Sequence, residues 1–79
     1  MEIRILGPGC PRCHEVEKRT INALAELNVG ADVQKVTDIK KIAEFGIFAT
    51  PGFVLDGKVK SSGRIPSQDE IKRWVLEES

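Results

Sequence analysis

Residues 3–13 of the sequence, IRILGPGCPRC, decide the fold that we predict for this chain. The apolar run at residues 3–6 favours a short β-strand, and the Gly-Pro-Gly segment after it ends the strand with a tight turn. Pro11 suits the first turn of a helix, because its missing N–H group would have had no partner there. We therefore predict a strand, a turn and a helix that begins at the pair Cys10 and Cys13.

A helical repeat follows the cysteine pair. Its members recur at helical spacing and are Cys13, Val16, Thr20, Leu24 and Leu27. Asn28 and Gly30 are typical of a helix end, and residues 31–36 are predicted to return as a second strand. The polar residues of that strand indicate a sheet edge. A strand, a helix and a second strand in this order predict a parallel crossover unit.

The middle of the chain predicts a short helix and then a hairpin. Asp38 can cap the helix, and Gly46 is its expected end. Ile39, Ile42 and Ala43 are expected to point inward. The dipeptide Asp56-Gly57 separates two β-prone runs and favours a two-residue hairpin turn.

A last helix completes the predicted order. Ser67 and Glu70 have the spacing of a capping box, and Ile71, Trp74 and Val75 would share one side of the helix that follows. The predicted order is βαβαββα, an α/β fold with a central four-stranded mixed sheet flanked by three helices. We expect one domain over residues 1–79, because a chain this short makes one compact core.

The amino-acid composition limits the kinds of binding partner that we expect for this protein. Twelve basic residues balance twelve acidic ones, which disfavours a nucleic-acid partner because no large uniform potential is available. The N-terminal apolar run is too short for a signal peptide or a membrane span. We expect a cytoplasmic monomer without a membrane partner.

We expect the cysteine pair to have a chemical role and not a structural one. Two cysteines three positions apart at a helix start are neighbours on one face and can form a disulfide. Cys10 lies where the helix dipole favours a thiolate, and Pro11 and Arg12 are expected to tune it, Arg12 as a nearby cation. Cys13 continues the apolar stripe and should be buried. We predict that Cys10 attacks a substrate disulfide and that Cys13 resolves the mixed disulfide.

A cysteine pair with this spacing also occurs in metal sites and in haem attachment sites. A closed zinc site normally takes four ligands, and His14 is the only further histidine or cysteine. The sequence CPRCH also matches the pattern of c-type haem attachment, but the only methionine is the initiator, so the usual second axial ligand is missing. An iron–sulfur or other metal-binding protein and a redox-sensing binding module remain as alternatives. The leading prediction needs no cofactor beyond the Cys10–Cys13 disulfide.

The motif at residues 10–13, together with Thr50 and Pro51 before the apolar run at residues 53–55, resembles the thioredoxin/glutaredoxin superfamily. The resemblance covers nearly the whole chain, and it is strongest to minimal redox-active disulfide proteins. It implies that Pro51 is cis and faces the cysteines, and that the backbone of Thr50 pairs with the bound substrate. It also implies a protein-disulfide oxidoreductase.

The resemblance implies partners as well. These are proteins that contain disulfides and a reductant, either a thioredoxin-reductase-like enzyme or a thiol. Gly63 would lie near the rim of the active site. Because the net charge is zero, we expect recognition to use apolar contacts beside Thr50, from Ile47 and Phe48.

Overall fold

The computed structural model describes residues 1–9 and 11–78, and it confirms the predicted βαβαββα order. The elements are β1 (Glu2–Leu6), α1 (Pro11–Leu27), β2 (Asp32–Val36), α2 (Ile39–Glu44), β3 (Gly52–Leu55), β4 (Lys58–Ser62) and α3 (Gln68–Glu78). Cys10 and Ser79 lie outside the described residues. None of the helices within the described ranges is long and apolar enough to cross a membrane.

The four strands form one mixed sheet in the order β2-β1-β3-β4. β1 pairs in parallel with β2 and antiparallel with β3, and β3 pairs antiparallel with β4. This order confirms that the second strand lies at a sheet edge. It also puts β1, which leads into the cysteine motif, beside β3, which follows Pro51.

The helices pack on both faces of the sheet. Successive side chains of a strand point to opposite faces, so the contacts of neighbouring residues show which helix lies on which face. Ile3 and Ile5 of β1 pack in one cluster with residues of α1 and α3, whereas Leu6 packs in a second cluster with Ile42 of α2. The larger cluster consists of Ile3, Ile5, Val16, Ala23, Leu24, Phe53, Leu55, Ile71 and Val75. Helices cover both faces, so every residue of β3 is buried.

The second helix has the predicted cap, but one part of its predicted packing is wrong. The side chain of Asp38 accepts a hydrogen bond of 2.9 Å from the Lys40 backbone N–H. Of the three residues expected to point inward, only Ile42 is buried, while Ile39 is 74% exposed and Ala43 is exposed as well. The reason is that Ile47, from the loop after α2, packs beside Ile42 on the same face of the sheet.

The hairpin after β3 has the predicted turn. Asp56 and Gly57 both adopt positive φ angles, +48° and +82°, which is the geometry of a two-residue type I′ turn. The turn sets the antiparallel pairing of β3 with β4.

The capping box of the last helix is also confirmed. The Glu70 N–H donates to the Ser67 hydroxyl, and the Ser67 N–H donates to the Glu70 carboxylate, each at 3.1 Å. Arg64 donates two further hydrogen bonds to the same carboxylate. The Arg64 guanidinium, and then the Ser67 backbone N–H, lower the pKa of Glu70 to about 2. This network fixes the chain between β4 and α3.

Candidate active site

Cys13 is buried in the first turns of α1, as the sequence predicts. Its side chain is 3% exposed, and it lies on the buried side of the helix together with Val16 and Thr20. Cys10 lies outside the described residues, so the predicted pairing of the two sulfurs and the predicted tuning of Cys10 stay predictions.

Gly7 lies directly against the sulfur of Cys13. A Cβ atom placed on Gly7 would overlap Cys13 Sγ and would lie 3.9 Å from Thr50 Cβ. Cys13 and Thr50, which are far apart in the sequence, therefore both come within 4 Å of one point at the carboxyl end of β1. The sequence predicts Gly7 only as part of a turn and does not predict this close packing, because nothing in the local sequence indicates which side chain approaches Gly7.

The Thr50-Pro51 peptide bond is cis, as the resemblance implies. Pro51 is fully buried and immediately precedes β3, so its backbone is fixed to the centre of the sheet. The carbonyl oxygen of Pro51 accepts a hydrogen bond of 2.9 Å from the Gly63 N–H. Gly63 therefore lies beside the loop that carries Thr50 and Pro51, in agreement with the position expected for it.

Arg12 makes a contact that the sequence did not predict. Its Nη2 donates a hydrogen bond of 3.2 Å to the Gly63 carbonyl oxygen. Gly63 has a φ angle of +75°, and a Cβ atom at this position would approach Ala49 Cβ to 3.0 Å. The second residue of α1 and the loop before β3 are thus joined through one glycine.

An apolar groove of about 280 Å³ opens beside Thr50. Its lining consists of Pro8, Ile39, Ile42, Ala43, Ile47, Phe48 and Thr50. The two residues expected to recognise a substrate differ in burial: Phe48 is fully exposed, whereas Ile47 is 7% exposed and belongs to the core. The sequence did not indicate that Pro8, Ile39, Ile42 and Ala43 belong to this surface.

Comparison with known proteins gives consistent matches over most of the chain. Residues 1–76 match the family model described as thioredoxin domain. A thioredoxin of Methanocaldococcus jannaschii is 44% identical over 70 residues, which cover 89% of this chain and 80% of that protein. A thioredoxin of Methanothermobacter thermautotrophicus is 40% identical over 73 residues, which cover 92% of this chain and 95% of that protein. The family-model match over residues 1–76 contains the cysteine motif, the Thr50-Pro51 loop and the four strands of the sheet.

Proposed function

We propose a dithiol exchange mechanism for this chain, which belongs to the thioredoxin domain family and is a thioredoxin-like thiol–disulfide oxidoreductase. In this mechanism Cys10 is the attacking thiol and Cys13 is the resolving thiol. The observation that carries the proposal is the position of Cys13, which is buried in the first turns of α1, against Gly7 and close to Thr50. A thiol so enclosed is suited to attack a neighbouring sulfur rather than one in solution.

The reaction transfers two electrons in two exchange steps. The Cys10 thiolate attacks one sulfur of a client disulfide, a mixed disulfide forms, and the other client sulfur leaves as a thiolate that takes a proton. The Cys13 thiolate then attacks the Cys10 sulfur, and the second client thiol is released. The client is reduced, and the chain ends with a Cys10–Cys13 disulfide. An external reductant, either a reductase or two equivalents of a small thiol, restores the reduced pair and is itself oxidised to a disulfide.

The clients in this proposal are proteins with accessible disulfides. The backbone of Thr50 would hold the client segment next to the cysteines, in the manner that the resemblance implies. A reducing role fits the cytoplasm, where thiol systems keep cysteines reduced.

The mechanism predicts which cysteine variant accumulates a covalent intermediate. After incubation with disulfide-bonded insulin as a model client, Cys13→Ser should accumulate a mixed disulfide, because the resolving thiol is missing. Cys10→Ser should accumulate none, because the attacking thiol is missing. Mass spectrometry under non-reducing conditions measures both products. Accumulation in Cys10→Ser alone would reverse the two roles, and accumulation in neither variant would rule out the mechanism.

The groove beside Thr50 supports a further part of the proposal, namely that it holds an apolar side chain of the client next to its cystine. The groove is continuous with Thr50, and the fully exposed Phe48 forms part of its wall. An exposed aromatic ring beside a reactive site is the kind of residue that carries binding energy in protein interfaces.

Replacing Phe48 should therefore weaken client reduction without affecting the thiols. In Phe48→Ala we expect kcat/KM for insulin to fall by about three- to tenfold. The rate with hydroxyethyl disulfide, which is too small to use the groove and the cysteines at once, should stay at the wild-type value. Ile21→Ala is the matched control, because Ile21 is also an exposed apolar residue but does not line the groove. Equal losses in both variants would contradict the assignment.

A further inference from the structure

We propose that Arg12 is a positioning residue, which ties the first turn of α1 to the Thr50-Pro51 loop through Gly63. The inference rests on the proposed function and deepens it, because it concerns how the client-binding loop is held relative to the dithiol. It differs from the tuning role expected from the sequence, in which the charge of Arg12 acts on Cys10.

Two hydrogen bonds of one glycine form the connection. The Gly63 carbonyl accepts from Arg12 Nη2 at 3.2 Å, and the Gly63 N–H donates to the Pro51 carbonyl at 2.9 Å. The guanidinium group is the charged partner in the first of these bonds, and charge-assisted hydrogen bonds are stronger than neutral ones.

The glycine is itself held firmly against the loop. Its φ angle of +75° is one that other residues rarely adopt, and an added Cβ atom would lie only 3.0 Å from Ala49 Cβ. Gly63 also directly follows Ser62, which pairs with Gly52 in the sheet. Gly63 is fixed on the side of Pro51, and the side chain of Arg12 connects it to α1.

This connection should matter most for large substrates. A protein client would engage the backbone of Thr50 and the dithiol together, so its reduction depends on the distance between the loop and α1. Hydroxyethyl disulfide needs only the thiol. Loss of the connection should therefore raise the KM for a protein client and leave the small disulfide unaffected.

Three variants separate positioning from electrostatic tuning. Arg12→Met removes the charge and the donor while it keeps an unbranched side chain, and Arg12→Lys keeps the charge but loses the planar fork. Arg73→Met is the matched control, because Arg73 is an exposed arginine on α3. For Arg12→Met we expect the KM for insulin to rise about fivefold, with an unchanged rate for hydroxyethyl disulfide.

The alternatives give different results. If Arg12 tunes Cys10, Arg12→Met slows both substrates in parallel, the pH profile of Cys10 alkylation by iodoacetamide moves upward, and Arg12→Lys restores both; this pattern would overturn the proposal. Unchanged kinetics for both substrates would also overturn it.

A measurement that does not depend on disulfide reduction keeps this test distinct from the test of the proposed function. Amide hydrogen exchange of Gly63, measured by NMR, should become faster in Arg12→Met and stay at the wild-type rate in Arg73→Met. Unaltered exchange in Arg12→Met would overturn the proposal even if the protein reduces disulfides. If wild type reduces neither substrate, the proposed function fails instead, whatever the exchange of Gly63 shows.

Discussion

Replacing Gly7 with alanine is expected to slow client reduction by about a hundredfold, because a displacement of about 1 Å at a reacting group can have an effect of that size. The new Cβ atom would overlap Cys13 Sγ. The sulfur can escape only by rotating away, and its surroundings are closed, since Cys13 is 3% exposed. The second exchange step should be slowed most, so the mixed disulfide should accumulate in Gly7→Ala, as is expected for Cys13→Ser. Stopped-flow kinetics with insulin and mass spectrometry measure the two effects.

Matched variants show whether the collision with the sulfur is the cause. Gly30→Ala should keep wild-type exchange, because a Cβ atom at Gly30 meets nothing within 4 Å. Gly7→Ala should also destabilise the fold by about 1 kcal/mol through overpacking. In the Cys13→Ala background, where the sulfur is absent, Gly7→Ala should lower the free energy of unfolding by much less. Equal destabilisation in both backgrounds would show that the strain arises elsewhere.

The sequence was sufficient wherever structure depends on neighbours in the chain. The Asp56-Gly57 turn and the Ser67 and Glu70 capping box could be predicted because their donors, acceptors and φ angles belong to residues at most three apart. The order of elements followed from such signals, since each one marks where a strand or a helix begins or ends. The cis bond before Pro51 came from the family resemblance instead.

The sequence was insufficient where residues far apart in the chain meet. Gly7 is a turn residue by its local sequence, and only the return of α1 and of the Thr50 loop places Cys13 Sγ against it. Ile39 was expected inside because its spacing from Ile42 is helical. That periodicity cannot show that Ile47 from the next loop shares the same face of the sheet. The hydrogen bond from Arg12 to Gly63 joins residues that are 51 positions apart, and no local sequence pattern indicates it.

Phe48 and Phe53 illustrate the same limit and lead to the second large effect. Both are phenylalanines in an apolar stretch around Pro51, yet Phe48 is fully exposed and Phe53 is fully buried. Phe53 belongs to β3, and its ring centroid lies 5.5 Å from that of Trp74 on α3. The aromatic pair therefore joins the sheet to the last helix.

Phe53→Ala is expected to lower the free energy of unfolding by about 3 to 5 kcal/mol, the usual cost of removing a buried ring. A small domain has about 5 to 15 kcal/mol in total, so the variant should be close to its limit of stability. Urea denaturation followed by the fluorescence of Trp74, the only tryptophan, measures the loss directly. Phe53→Leu keeps most of the apolar volume, so it should be destabilised less and still give a full transition if Phe53→Ala is unfolded from the start.

Phe48→Ala is the matched control for this prediction, because the same substitution at an exposed ring should change the free energy of unfolding by less than about 0.5 kcal/mol. Its effect belongs to client reduction instead, whereas Phe53→Leu should reduce insulin at the wild-type rate for as long as it stays folded. The two phenylalanines thus separate stability from recognition in one short segment. If Phe48→Ala destabilised the fold as strongly as Phe53→Ala, its ring would be a core residue, and the groove beside Thr50 would not be an open surface that a client can enter.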